Sequence, residues 1–382
     1  MRVALVHDYL NQYGGGERVL GFLCEMFPRA HIFTLIYDER LTGGAFRGRQ
    51  IHTSFLQKIP WAKKNHRFLP ILMPLAVEQF DLSNFDLVIS NSASFAKGVI
   101  TKPYTKHISY CMTPTRYLWD DSQRHLQDFF GVKIFNRNKR LNARLAEAFG
   151  GARADIVSWF ALPLLSYLRI WDQQASKRPD DFIAISEFVK QRIKKYYGRA
   201  SLVVYPPVDS ARFKISAEIA DYFLMVGRLV SYKRFDLAIK VFNNLGWPLK
   251  IIGDGPERKR LQKLAVPNAD IEFLGLVSDY KLPSYYSRAR ALIFPQEEDF
   301  GIVVVESMAS GRPVVAFRGG GSLETIKEGE TGVFFGEQTE ESLTAVLREF
   351  NPFDFDSQKI KARATLFDKG IFREKFSAIL NI

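Results

Sequence analysis

Short apolar runs rich in β-branched and aromatic residues alternate with amphipathic stretches along this whole chain, and no other feature narrows its fold so far. The first series of strand candidates is RVALVHD (2–8), HIFTLIYD (31–38), FDLVISNS (85–92), HISYCM (107–112), DFIAIS (181–186) and SLVVYP (201–206). The second is YFLMVGR (222–228), PLKIIGDG (248–255), IEFLGLV (271–277), ALIFP (291–295), PVVAF (313–317) and TGVFFG (331–336). Continuous apolar strands with helices between them predict parallel sheets covered on both faces. Two series predict an α/β protein of two doubly wound, Rossmann-like domains facing across a cleft. The stiff Pro206–Pro207 pair separates the series and sets the boundary. Residues 1–206 then form the N-terminal domain and 207–365 the C-terminal one, with 366–382 a last helix returning to the first domain. The stretch from Asp120 to Pro179 reads as mostly helical.

A length of 382 residues suits two domains, and 47% hydrophobic with 25% charged residues excludes disorder. The net charge of +12 points to a polyanionic neighbour. Lys133, Arg137, Lys139, Arg140 and Arg144 form one basic run; Lys190, Arg192, Lys194 and Lys195 form another. A solvated helix face and an anionic membrane patch both remain open for them. The runs lack the aromatic interleaving of a nucleic-acid module, so no nucleic-acid partner is expected. Cys24 and Cys111 sit in apolar context as free thiols, which agrees with a reducing compartment. The N-terminal MRVALVHDYL lacks the apolar core and cleavage site of a signal peptide. The most apolar later stretch, Ile156 to Trp171, holds Pro163 and Arg169 and is short for a membrane span. A cytoplasmic protein, peripheral on the inner membrane face at most, is the expectation.

Ligands of open α/β sheets bind beyond the carboxyl ends of the strands. After ALIFP comes EEDFGIVVVESMASG, with QEEDFG read as a loop and IVVVESMAS as a helix closed by Gly311. Glu298 then lies in the loop and Glu306 about two turns into the helix. The amides of Phe300, Gly301 and Ile302 would face a phosphate, and Gly301 would let the backbone approach it. Carboxylates beside an anion site suit sugar hydroxyls on either side of it. Glu298 as a helix N-terminal charge and Glu306 as a surface acid remain the alternative. In GRLVSYKRFD, Arg228 and Lys233 supply two cations for a diphosphate. In NQYGGGERVL, Gly14, Gly15 and Gly16 form an anion-cradling loop, and in GGGSLETI a flexible loop stands ready to close over a ligand. The third position of a dinucleotide fingerprint is Val19, although Asp38 stands where a ribose-binding acid would. The six histidines form no HxxxH, there is no CxxC, and no metal site is expected. Asp354–Phe355–Asp356 reads as surface charge.

Together these features describe a sugar-nucleotide site. Along nearly its whole length the chain resembles the GT-B glycosyltransferases of family 4, retaining enzymes that use sugar nucleotides. The E-x7-E motif, EDFGIVVVE, carries the resemblance, supported by GRLVSYK, FLGLVSD, ASGRPVVAF, GGGSLETI and HDYLNQYGGGERVL. The last of these, with TPTRYLWD and FIAISEFV, resembles the GDP-mannose-dependent mannosyltransferases of bacterial polysaccharide assembly. The resemblance implies that Glu298 holds the donor sugar, Glu306 the ribose, and Arg228 and Lys233 the leaving diphosphate. It implies that Gly15 and Gly16 meet phosphate or acceptor, and that Gly275, Leu276 and Val277 meet the base through their backbone. It implies no cofactor and no metal, the two cations replacing one, and a lipid-linked or glycan acceptor at a membrane surface. Retention is written for this family as same-face attack with the departing phosphate taking the acceptor's proton, so no protein nucleophile is named.

One departure stands out. Where this branch usually carries a histidine facing the sugar's 6-hydroxyl, YCMTP has Met112. Methionine donates no hydrogen bond. Mannose transfer without a hydrogen bond at that hydroxyl, and a donor lacking the 6-hydroxyl (a 6-deoxyhexose or pentose), both stay open. So do a catalytically silent sugar-nucleotide-binding protein, a sugar-nucleotide epimerase and an NAD-dependent dehydrogenase.

Overall fold

A computed structural model describes residues 1–60, 63, 69–120 and 152–380 of the chain. The basic run from Lys133 to Arg144 lies outside the described residues. The chain divides into two units, one of Met1–Ile185 with Val189–Val203, the other of Ser186–Phe188 with Val204–Ile382.

Unit 1 is built on a seven-stranded sheet in the order β3-β2-β1-β4-β5-β6-β7. Its strands are β1 (Val3–His7), β2 (His31–Thr34), β3 (Ile51–Thr53), β4 (Leu87–Ser92), β5 (Lys106–Cys111), β6 (Asp181–Ala184) and β7 (Leu202–Val203). All neighbours pair in parallel. The central strands β1 and β4 are buried from end to end because both faces are covered: Ala4, Val88, Leu168 and Trp171 are among the buried core. The edge strand β3 went unread in the sequence. It has three residues, IHT, none fully buried, and so carries no apolar run. The helix Ala152–Ala175 fills part of the stretch expected to be helical.

Unit 2 has a six-stranded parallel sheet in the order β10-β9-β8-β11-β12-β13. These are β8 (Phe223–Val226), β9 (Leu249–Ile252), β10 (Ile271–Gly275), β11 (Leu292–Phe294), β12 (Val314–Phe317) and β13 (Gly332–Phe335). The helix Phe235–Leu245 shows how sequence makes the layer: Phe235, Leu237, Ala238, Ile239, Val241 and Phe242 are buried, and Gly246 ends it in the left-handed region. The last helix, Lys369–Leu380, falls within unit 2. Backbone bonds from Val208 to Phe367 O (3.0 Å) and from Lys369 to Val208 O (3.0 Å) tie its start there.

Both sheets reverse their winding once, between β1 and β4 in unit 1 and between β8 and β11 in unit 2. Such a switch point leaves a crevice beyond the strand ends, because the connections on its two sides run to opposite faces.

Candidate functional site

In unit 2 two of the residues picked out by spacing, Lys233 and Glu298, meet at the switch point. Lys233 closes the turn Ser231–Lys233 after β8, and Glu298 lies in the loop after β11. Their side chains meet, Lys233 Nζ to Glu298 Oε1 at 2.6 Å, and they are only 13% and 16% exposed. Gln296 Nε2 approaches the same carboxylate oxygen at 3.5 Å. The sequence reading put the cation on the phosphates and the acid on the sugar; in the folded chain they hold each other. Arg228 is exposed, two residues past β8.

The helix after the loop runs from Ile302 to Ala309. Its three valines are poor helix formers, but Val304 and Val305 are fully buried, and packing overrides propensity. Glu306 lies just over one turn into it, not two. It is 3% exposed, so the surface-acid alternative fails. Tyr286, itself buried, donates its hydroxyl to Glu306 Oε2 at 2.8 Å. Tyr286 was missed, although a tyrosine in an apolar helix such as LPSYYSR needs a partner for its hydroxyl, and that was the available signal.

Gly301 opens the helix at φ +87°, where a Cβ would lie 2.9 Å from the Phe294 ring. Only glycine fits that turn without strain. Among the described residues, no backbone oxygen accepts from the amides of Phe300, Gly301 and Ile302. They are the orphan donors of a helix N-terminus, suited to an anion. The Phe300 side chain is part of the core, stacked 5.6 Å from Tyr205. The glycine triplet read as a flexible closing loop is instead packed tight. Gly321 N donates to Glu298 O at 2.8 Å, and a Cβ at Gly320 would sit 2.2 Å from that same oxygen. Those glycines let two loops touch backbone to backbone and so fix Glu298. Gly275 ends β10, Val277 is half-buried, and Leu276 is 82% exposed. Asp356, from the DFD run, accepts from the Gln358 and Lys359 amides and caps the helix Ser357–Ala364.

The remaining site candidates belong to unit 1. Gly15 and Gly16 begin the helix Gly15–Met26. The loop before it is closed by the protein itself: Glu17 Oε2 accepts from the Gly14 amide at 2.8 Å, and His7 Nε2 stands 3.6 Å from Glu17 Oε1. Burial pushes the Glu17 carboxyl up, but the His7 hydrogen bond and charge, with the Glu17 and Gly14 amides, hold it below its ordinary value. Asn91 Nδ2 donates to Gly16 O at 2.8 Å. Met112 follows β5, half-buried, its amide bonded to Ser92 O at 2.8 Å. Asp38 accepts from the Arg40 and Leu41 amides and shapes a turn. Arg192, counted in a basic run, is buried and paired with Asp120, with Thr113 Oγ1 at 2.6 Å. Cys24 and Cys111 are free and buried. Among the described residues no cluster of three metal-ligating side chains occurs, and no helix is long and apolar enough to cross a membrane.

Two parallel Rossmann-like units, with acids, cations and unused amides at a switch point, define the GT-B class of glycosyltransferase. Residues 13–212 match the family model described as Glycosyltransferase Family 4, and residues 207–352 match Glycosyl transferases group 1. The chain belongs to glycosyltransferase family 4. It is 29% identical over 215 residues to an uncharacterized glycosyltransferase of Methanocaldococcus jannaschii, covering 55% of this chain and 59% of that protein. It is 29% identical over 225 residues to the GDP-mannose-dependent alpha-(1-6)-phosphatidylinositol monomannoside mannosyltransferase of Mycobacterium tuberculosis, covering 50% of this chain and 57% of that one. The chain thus spans a little over half the length of these curated relatives. Among solved structures, Anabaena HepE in complex with UDP superposes with a TM-score of 0.65 at 17% identity, over 100% of both chains, a likeness of fold.

Proposed function

We propose that this protein transfers a sugar from a sugar nucleotide to a lipid-linked or glycan acceptor, with retention at the transferred carbon. The observation that carries the reading is the meeting of Lys233, Glu298 and the unused amides of Phe300, Gly301 and Ile302 at the switch point of unit 2. Anion donors and a hydroxyl acceptor side by side match a ligand that is phosphate at one end and sugar at the other.

Arg228 and Lys233 hold the diphosphate and stabilise the charge that grows on it as it leaves, the role a metal plays elsewhere. Glu298 accepts from donor-sugar hydroxyls and Glu306, held by Tyr286, from the ribose. The backbone at Gly275, Leu276 and Val277 lies along the base, and Gly15 and Gly16 serve phosphate or acceptor. The departing phosphate takes the acceptor's proton, so no side chain acts as nucleophile. The Mycobacterium tuberculosis relative's name favours mannose from GDP-mannose, and the Anabaena neighbour's UDP makes a uridine donor the comparison to run. Met112 supports a second reading, a donor lacking the 6-hydroxyl, because a thioether at that position satisfies no hydroxyl. The net charge of +12 supports work at an anionic membrane surface, in the cytoplasm.

Calorimetric titration of GDP, UDP, dTDP and ADP into wild type and Arg228→Ala tests the reading. One nucleotide binding wild type, and the variant at least about tenfold more weakly, is expected from loss of a charged hydrogen bond. No binding by any of the four removes the proposal.

A further inference from the structure

The Lys233–Glu298 pair joins the two groups that the donor reading assigns to opposite ends of the ligand. Lys233 lies across Gly227, where an added Cβ would stand 3.2 Å from Nζ and 3.3 Å from Cδ, so its ammonium is held at the end of β8. Glu298 is fixed from below, its carbonyl accepting from the Gly321 amide. Neither group reaches the other by a long excursion, and both are largely withdrawn from water.

We infer that this ion pair selects for a nucleoside diphosphate that still carries its sugar and works against the bare nucleoside diphosphate. The inference rests on the donor reading of this same loop. A bare diphosphate that takes Lys233 as its counter-ion leaves Glu298 stripped of its cation in a half-buried place. A carboxylate left there without its partner is costly, and the incoming polyanion repels it. A sugar nucleotide takes Lys233 with its phosphates and gives Glu298 new donors with its hydroxyls. Both halves of the broken pair are then satisfied, and the exchange costs little. After transfer the sugar is gone and the nucleoside diphosphate remains. Glu298 then competes for Lys233 again, which speeds release of the product. A pair that looks like an obstacle in the empty site therefore shifts affinity from the product towards the donor.

Glu298→Gln tests this, since it keeps the shape and removes both the charge and the pair. The probes are GDP with GDP-mannose and UDP with UDP-glucose, measured by calorimetry, with product off-rates by stopped flow. The expected result is that the bare diphosphate binds the variant about fivefold tighter or more, the scale of a partly buried ion pair, and leaves more slowly by a like factor. The sugar nucleotide does not share the gain, so the preference for donor over product collapses. Bare-diphosphate affinity unchanged or weakened in the variant overturns the inference while wild-type binding keeps the donor reading intact. Failure of wild type to bind any of the four probes sinks both. A single cooperative unfolding transition well above the assay temperature for Glu298→Gln shows that the comparison is made on folded protein.

Discussion

The two units share a parallel, doubly wound topology, but a sealed charge cluster in the first contrasts with the switch-point ion pair of the second. In unit 1, Asp8 follows β1 and gives its carboxylate to the amides of Ala93, Ser94, Phe95 and Ala96, at 2.6–2.9 Å. Nearby, Lys97 and Asp172 form a 2.5 Å ion pair, each 1% exposed. Thr115, Trp119 and Tyr197 donate to the same Asp172 carboxylate at 2.8–2.9 Å. These charges are sealed in and bonded to fixed protein donors. In unit 2 the pair at the switch point is partly open, and a turn of unused amides lies beside it. The comparison separates buried charges whose partners are all fixed protein donors from a pair that keeps one side open to solvent.

The comparison breaks most visibly at Lys97. Lys97→Met leaves the sealed Asp172 without its cation and should cost about 3–5 kcal/mol by denaturant unfolding. A loss below ~1 kcal/mol would show the pair to be no more structural than its counterpart in unit 2. His107 offers the next largest effect. It is buried, and that burial, with the charge of Arg178, lowers its pKa to about 3. A histidine whose pKa falls on folding contributes its full stability above the unfolded value of ~6.5 and loses it as pH drops towards the folded value. Unfolding free energy should therefore fall by roughly 2 kcal/mol between pH 7 and pH 5, and His107→Gln should flatten that slope. Glu17 has a lowered pKa as well, so its share is lost only at lower pH, as the carboxyl range is entered.

In unit 2 the effects should pass from stability to binding. Gly301→Ala forces a side chain into a left-handed turn against Phe294 and should cost about 1–3 kcal/mol while also weakening nucleotide binding. Arg228→Ala should move stability by no more than ~0.5 kcal/mol, the usual range for an exposed residue, while binding falls. A large stability loss there would blur the contrast between the units.

Most of the fold was legible because parallel strands buried on both faces write themselves as continuous apolar runs. Every run read from the sequence holds a strand, and among the described residues the one strand missed, Ile51–Thr53, has no such run. The candidate site was legible in its parts: Glu298, Glu306, Lys233 and Gly301 stand out by residue type and spacing. Partnerships were not legible. Arg192 looked like one charge in a basic run, and Lys97 like nothing at all, because Asp120 and Asp172 lie far along the chain. Nor did the residues of GGGSLETI reveal that their flexibility serves tight packing against Glu298.

The sequence by itself determined the α/β class, the two series of strands and the candidate residues whose chemistry suits phosphate and sugar. Those properties live in local patterns of burial and in the chemistry of single side chains. Only the tertiary structure decided that β8 lies beside β11 and that Lys233 therefore meets Glu298. It also decided that Tyr286 holds Glu306 and that the first unit's charges are sealed. Strand order is set by which apolar faces cover which sheet, and a charge acquires its role from the neighbour that order brings within reach.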